Sequence, residues 1–123
     1  MADLSSQRVG FIGVGFMGEA ILSGAIAASG IRPENAWVND VRGDHADAVR
    51  ETNVSVICVG TPPLPSGHLE LAYLERVLRQ VFAAAREHPG EHCVINRSSV
   101  VPGTHSRVIL PLIRSLDPEG LIA

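Results

Sequence analysis

The chain has 123 residues, which is enough for one ordinary domain with a single core. Hydrophobic residues make up 46% of it and the net charge is −3, so nothing points to nucleic acid or an anionic membrane as a partner. We find no apolar run that could span a bilayer and no secretory segment, and we expect a cytoplasmic protein. The ten basic residues are all arginine, which excludes Schiff-base chemistry on a lysine.

The hydrophobic pattern predicts strands that alternate with helices. We predict four strands, at 8–13, 36–40, 54–60 and 92–96. We predict four helices, at 16–29, 43–52, about 70–87 and 104–116. The second of these helices is only weakly amphipathic. This alternation is typical of a parallel α/β sheet with helices on both faces.

Two of these helices have a predicted apolar face. On the third helix a long stripe is formed by Leu71, Leu74, Val77, Leu78, Val81 and Ala85. On the first helix we predict a face made of Met17, Ala20, Ile21, Gly24 and Ala25.

The cysteines and histidines show no chemical pattern of their own. Cys58 and Cys93 lie inside apolar strand-like runs, which is typical of buried small hydrophobic residues. The five histidines never reach the spacing of metal ligands, and we predict that they lie on the surface or in loops. We therefore predict no metal site.

A glycine pattern lies between the first predicted strand and the first predicted helix. Gly13, Gly15 and Gly18 form G-x-G-x-x-G, in which the glycines allow a tight turn, a close approach of the backbone to a pyrophosphate, and close packing of helix on strand. A purely structural turn is the alternative reading. Asp40 ends the second strand, where a carboxylate accepts hydrogen bonds from the adenosine ribose. The pattern predicts dinucleotide binding.

The choice between the two nicotinamide dinucleotides depends on two neighbouring residues. Asp40 favours NAD, because a carboxylate repels a 2′-phosphate. Arg42 would instead bind that phosphate, so NADP stays open as the less favoured cofactor.

The two parts of the chain resemble two different families. Residues 9–40, "VGFIGVGFMGEAILSGAIAASGIRPENAWVND", resemble the N-terminal dinucleotide domain of the pyrroline-5-carboxylate reductases. From Val54 onward, "VSVICVGTPPLPSGHLELAYLERVLRQV" and "INRSSVVPGTHSRVILPLI" resemble the UDP-glucose/GDP-mannose dehydrogenases. We predict a single dinucleotide-binding domain over 1–123, with a reductase-like part at 1–53 and a nucleotide-sugar-dehydrogenase-like part at 54–123.

The second resemblance assigns roles to two loops. It places Thr61 against the cofactor and the loop from Arg97 to Thr104 at the nicotinamide. Ser99 stands where the family has a threonine of the catalytic hydrogen-bond network, which makes it a possible catalytic residue. With the glycine pattern, the predicted cofactor site comprises Gly13, Val14, Gly15, Phe16, Met17, Gly18, Asp40, Val41, Arg42, Val59, Gly60, Thr61, Pro62, Ser98 and Ser99.

The resemblance also shows what the chain lacks. The dehydrogenases use a catalytic cysteine with a lysine and a glutamate, and neither Cys58 nor Cys93 lies in a matching motif. Whether this chain is an enzyme stays open. We predict an NAD-binding domain that is catalytically incomplete without a substrate domain. The alternatives are an active oxidoreductase completed by a partner chain or a homo-oligomer, and an artificial chimera without activity.

The combination also predicts an unusual sheet. Both families place a further strand and helix between Asp40 and Val54, and we find neither. Right-handed crossovers then give the strand order 2-1-3-4, a truncated, flavodoxin-like form of the Rossmann-like three-layer sandwich. The ligand crevice is predicted between the first and third strands, flanked by Gly13 and by Gly60 and Thr61.

Overall fold

The computed structural model describes residues 4–13, 15–28, 30–39 and 45–122, and of Leu4, Phe16 and Met17 it describes the main chain only. Its strands are β1 (Val9–Ile12), β2 (Ala36–Asn39), β3 (Val54–Ile57) and β4 (Cys93–Asn96). Its α-helices are α1 (Phe16–Ala27), α2 (Ala46–Arg50), α3 (Ala72–Arg86) and α4 (Leu110–Leu116), the last preceded by a π-helical turn at His105–Ile109. Short 3-10 turns lie at Leu4–Ser6 and Pro33–Asn35. None of the described helices is long and apolar enough to cross a membrane.

The strands form one parallel sheet in the order β2-β1-β3-β4, which confirms the predicted topology. Val9 pairs with both Ala36 and Val54, and Val54 pairs with Cys93. Because the strands start in register and have equal length, their carboxyl ends meet along one edge of the sheet. Ligands of open α/β sheets bind at that edge.

Helix α1 covers one face of the sheet. Its Ile21, Leu22 and Ala25 pack against a cluster that includes Phe11 of β1 and Val56 of β3. The face predicted from the sequence is wrong in part, because Ala20 and Gly24 are exposed. The branched side chains of Ile21 and Leu22 have more apolar area to bury than alanine or glycine, so they determine which side of the helix faces the sheet.

On the face of the sheet that α1 covers, the two edge strands β2 and β4 stay partly exposed. Val38 of β2 lies opposite Phe11 and Ile95 of β4 lies opposite Val56, so both point to the side of α1. They are 55% and 46% exposed, because α1 packs on the two central strands.

The opposite face is covered by α2, α3 and α4. The apolar stripe of α3 is confirmed, since Leu74, Val77, Leu78 and Val81 are at most 1% exposed. These side chains pack in one cluster with Ile57 of β3 and with residues of the other two helices. With α1 on one face and three helices on the other, the structure is the predicted three-layer sandwich.

The connection from β2 to β3 crosses β1 with a helix shorter than predicted. Ala48 and Val49 of α2 are buried, and so are the flanking polar residues His45 and Thr52. Thr52 follows the helix and donates its hydroxyl proton to the Ala48 carbonyl at 2.7 Å. Polar residues that the amphipathic pattern did not count therefore help to dock the crossover.

The crossover lies close to the sheet at Gly10. A Cβ atom at Gly10 would lie 3.2 Å from Oγ1 and 3.4 Å from Cγ2 of Thr52. We expect Gly10→Ala to lower the free energy of unfolding by about 1 kcal/mol, because a methyl group forced into a packed contact costs more than the alanine gains in chain entropy. Urea unfolding measures the change.

The control for that variant is Gly24→Ala in α1, where a Cβ atom has nothing within 4 Å. It should raise the stability by up to about 1 kcal/mol, since alanine is the better residue in a helix interior. A Gly10→Ala protein that is as stable as the parent would show that the crossover does not need the space at Gly10.

The histidines were predicted to lie on the surface or in loops, and the cysteines to be buried. His45 and His92 lie outside the strands and helices, but both are buried, at 1% and 2% exposure. Cys58 and Cys93 are partly accessible rather than fully buried. The cysteines lie at the ends of β3 and β4, where the helices on either face no longer cover the sheet completely.

Candidate functional site

A crevice opens where the connections from two neighbouring strands diverge. Helix α1 follows β1 on one face of the sheet, and α3 follows β3 on the other. The crevice has a volume of about 230 Å³, and it is lined by Gly15, Gly18, Cys58, Val59, Gly60, Arg97, Ser98 and Ser99. Its place at this switch point is where α/β sheets bind their ligands, as predicted.

Each glycine of the pattern meets a different requirement. Gly13 has a φ of 84°, in the left-handed region that favours glycine. A Cβ atom at Gly18 would lie 2.7 Å from the Gly13 carbonyl oxygen, so only glycine lets the helix approach the loop this closely. A Cβ atom at Gly15 would meet nothing within 4 Å, and the backbone there stays open to the crevice.

Helix α1 begins at this crevice without a side-chain cap. Gly15 is its N-cap residue, and the Glu19 N–H donates to the Gly15 carbonyl at 2.9 Å. The N–H groups of the first turn precede that bond and have no acceptor within the helix. Together with the helix dipole they favour an anion such as a diphosphate at this end of α1.

The opposite wall consists of the loops that follow β3 and β4, joined by hydrogen bonds. The Val59 N–H donates to the Ser98 hydroxyl at 3.0 Å, and Ser98 is buried. The Thr61 hydroxyl donates to the Ser99 carbonyl. Thr61 and Ser98 thus hold the wall together, while the exposed Ser99 hydroxyl makes no hydrogen bond to any described residue.

The crevice is also lined by Cys58 and Arg97, which the predicted cofactor site did not include, although the resemblance placed the loop that begins at Arg97 near the nicotinamide. A Cβ atom built on Gly18 would lie 3.5 Å from the Cβ atom of Cys58. Burial raises the pKa of the Cys58 thiol, and the charge of Arg97 acts in the opposite direction. Each of the two is the first residue after a strand, β3 or β4, so its position at the carboxyl edge was the available signal.

The other predicted site residues fall into three groups. Pro62 does not line the crevice, and its carbonyl accepts the Glu70 N–H at 2.8 Å across the loop before α3. Phe16 and Met17 form the start of α1. Val14, Asp40, Val41 and Arg42 lie outside the described residues, as does the choice between NAD and NADP that rests on Asp40 and Arg42. The carboxyl end of β2 reaches the glycine loop, because the Gly13 N–H donates to the Asn39 carbonyl at 3.1 Å.

A larger cavity, of about 620 Å³, lies at the amino ends of the strands. It is lined by Gln7, Asn53, Val54, Glu91, His92, Cys93, Gly120 and Leu121. Because α/β sheets bind their ligands at the carboxyl edge, we assign the functional site to the smaller crevice.

Comparison with known proteins confirms both resemblances. The model of the UDP-glucose/GDP-mannose dehydrogenase family, NAD binding domain, matches residues 37–121. GDP-mannose 6-dehydrogenase of Pseudomonas aeruginosa is 47% identical over 70 residues, which cover 57% of this chain and 16% of that protein. Pyrroline-5-carboxylate reductase of Methanosarcina acetivorans is 32% identical over 79 residues, which cover 51% of this chain and 29% of that protein. The chain thus spans a minor part of either relative.

The family match begins inside β2, upstream of the junction predicted at 53–54, which stays a prediction. The fold also has a solved counterpart in the ternary complex of GDP-mannose dehydrogenase from Pseudomonas aeruginosa. The two structures agree with a TM-score of 0.75 and 27% identity, over 94% of this chain and 34% of the other. The chain therefore belongs to the UDP-glucose/GDP-mannose dehydrogenase family, in which it corresponds to the NAD-binding domain.

Proposed function

We propose that the chain binds NAD in the crevice between β1 and β3 and acts as the cofactor-binding part of a nucleotide-sugar dehydrogenase. One observation carries this proposal: the glycine loop, the uncapped start of α1 and the joined loops after β3 and β4 all meet at the switch point of the sheet. Such a crevice offers the hydrogen-bond donors that the diphosphate of a dinucleotide requires.

The residues that would hold the cofactor divide by chemistry. The main chain of Gly15 and the start of α1 suit the diphosphate, because they offer N–H groups and no obstructing side chain at Gly15. The wall formed by Cys58–Gly60 and by Ser98 and Ser99 suits the nicotinamide end. Asp40 would bind the adenosine ribose. When bound, NAD supplies a hydride acceptor for the oxidation of an alcohol.

We propose further that these residues alone do not turn over a nucleotide sugar. The sequence contains no lysine, and the family resemblance requires one together with a cysteine and a glutamate. Cys58 does not suit a nucleophilic role, because burial raises the pKa of its thiol and disfavours the thiolate. Ser99 remains a candidate for orienting a group at the nicotinamide, since its hydroxyl lies at the crevice.

The reaction then needs a substrate domain, from the same polypeptide or from a partner chain. Val38 and Ile95, half-exposed on the face of α1, support association through that face, with a second copy as the alternative. GDP-mannose is the substrate that the relatives favour. A cytoplasmic location stays an expectation.

Thiol protection tests the proposal, because the two cysteines lie at opposite ends of the sheet. The Cys93→Ser variant keeps only Cys58, and the Cys58→Ser variant keeps only Cys93. We expect NADH at about ten times its Kd to slow the modification of Cys58 about tenfold, since protection follows 1 + [L]/Kd. The modification of Cys93 should not change. Intact-mass spectrometry after timed exposure to a maleimide measures both rates.

Equal rates with and without NADH in both variants would show that NADH does not occupy the crevice, as expected of an inactive chimera. The same preparation, given NAD and GDP-mannose, should form no NADH. Turnover by this chain alone would contradict the proposed incompleteness.

A further inference from the structure

The crevice contains a single permanently charged side chain among its described lining residues. Of the eight residues that line it, Arg97 alone is a basic or acidic residue, and burial raises the pKa of the Cys58 thiol, which favours its neutral form. The net charge of the whole chain is −3, so the general field does not attract an anion to this edge. A cationic side chain in the lining would therefore add to the attraction that the N–H groups at the start of α1 exert on a dianionic diphosphate.

The guanidinium of Arg97 has no competing partner in the described part of the chain. It makes neither an ion pair nor a side-chain hydrogen bond there. Its backbone is fixed, because the Arg97 N–H donates to the Ile57 carbonyl at 2.8 Å and extends the pairing of β3 with β4. Arg97 is thus an exposed, unpaired cation on a well-anchored backbone.

The position of this charge is close to the start of α1. Arg97 acts electrostatically on Cys58, whose side chain packs beside Gly18 in the first turn of that helix. Both Gly15 and Gly18 line the same crevice as Arg97. The arginine and the N–H groups of the helix therefore flank one space from two sides, and a guanidinium fork matches phosphate oxygens in geometry.

We propose that Arg97 binds the diphosphate of the dinucleotide, opposite the start of α1, and supplies most of the electrostatic part of its affinity. This inference rests on the proposed function and extends it, because it assigns the anion recognition to a side chain of the β4 loop in addition to the glycine loop. It implies that affinity for the cofactor falls as salt is raised.

Calorimetric titration with three probes tests the assignment: NADH, ADP-ribose and adenosine. Arg97→Gln should weaken NADH and ADP-ribose about ten- to hundredfold, which is the usual range for one charge-assisted contact. Adenosine, which lacks the diphosphate, should bind as it does to the parent. Arg97→Lys should keep the salt dependence with intermediate affinity. Arg79→Gln, the same charge change on the exposed side of α3, is the matched control and should bind like the parent.

Folding should not confound this test, because the Arg97 side chain is exposed and makes no hydrogen bond or ion pair with the described residues, and urea unfolding checks this. If Arg97→Gln weakens NADH but not ADP-ribose, the arginine contacts the nicotinamide end and the assignment is wrong. Unchanged affinity for all three probes, or equal weakening of all three, also overturns it. If the parent protein binds no NADH, the proposed function itself fails, and that outcome is seen before any Arg97 variant is made.

Discussion

A Gly15→Val protein is expected to fold like the parent and to lose at least about a hundredfold in NADH affinity. A Cβ atom at Gly15 meets nothing within 4 Å, so the valine methyl groups enter the open crevice and not the core. The backbone there, with φ of −94° and ψ of −162°, is extended and suits a β-branched residue. The less favourable N-cap residue should cost about 1 kcal/mol of stability. Calorimetry and urea unfolding measure the two effects.

At Gly18, the third glycine of the same pattern, a substitution should mainly lower the stability of the fold. In Gly18→Ala the new Cβ atom would lie 2.7 Å from the Gly13 carbonyl oxygen, which belongs to the backbone and cannot rotate away. The helix must move from the loop, and we expect a loss of about 3 kcal/mol in the free energy of unfolding. The crevice is distorted as a consequence, so binding is weakened through the fold.

The control for both variants is Gly24→Ala, which makes the same change as Gly18→Ala on an open side of α1. If Gly18→Ala is as stable as Gly24→Ala, close packing of helix on loop is not the reason for that glycine. If Gly15→Val binds NADH with the affinity of the parent, the dinucleotide does not lie where we propose. The pair thus separates a glycine required by the ligand from a glycine required by the fold.

These glycines illustrate what local sequence can predict. A strand, a glycine loop and a helix follow one another within about fifteen residues, and their chemistry requires no distant partner. The strand order was also predictable. The sequence shows no further strand between Asp40 and Val54, and the right-handed rule for crossovers then leaves few alternatives. The crevice followed from that order, since its position depends only on where the connections diverge.

Contacts between distant residues could not be predicted in the same way. The cofactor roles of Thr61 and Ser98 stay predictions, and nothing in the sequence indicated that their hydroxyl groups also form hydrogen bonds between the loops after β3 and β4, across 38 and 39 residues. Cys58 was predicted only as a buried small residue and Arg97 only as the start of the loop at the nicotinamide, because neither residue type belongs to a dinucleotide pattern. The histidines were predicted to lie on the surface or in loops because their spacing does not suit a metal site. One of them, although it lies outside the strands and helices, links three segments of the core.

That residue is His92, at the amino end of β4. Its Nδ1 atom lies 3.1 Å from the Thr52 carbonyl oxygen, and its Nε2 atom lies 2.9 Å from the Ser55 hydroxyl. A carbonyl only accepts, so Nδ1 carries the proton and Nε2 of the neutral ring accepts from Ser55. The neutral form therefore joins the end of the crossover, the middle of β3 and the start of β4.

Burial lowers the pKa of His92, the neighbouring His88 lowers it further, and the bond to Thr52 acts in the opposite direction. In the unfolded chain the pKa of a histidine is about 6.5. Between the lower folded value and 6.5 the unfolded state binds more protons, so the stability rises with pH. The full contribution is present above about pH 6.5 and is lost progressively as the pH falls below it.

We therefore expect the urea concentration at the unfolding midpoint to be lower at about pH 5.5 than at about pH 7.5. We expect His92→Asn to remove much of this decrease. The asparagine amide can still donate to Thr52 but leaves Ser55 without its acceptor, at a cost of about 1–3 kcal/mol at neutral pH. His68→Asn changes an exposed histidine in the loop before α3 and should keep the pH dependence of the parent. If His92→Asn keeps it too, another group controls the acid sensitivity. If the pH dependence is lost in the His92 variant and kept in the His68 variant, the short crossover is held to the sheet through a neutral imidazole.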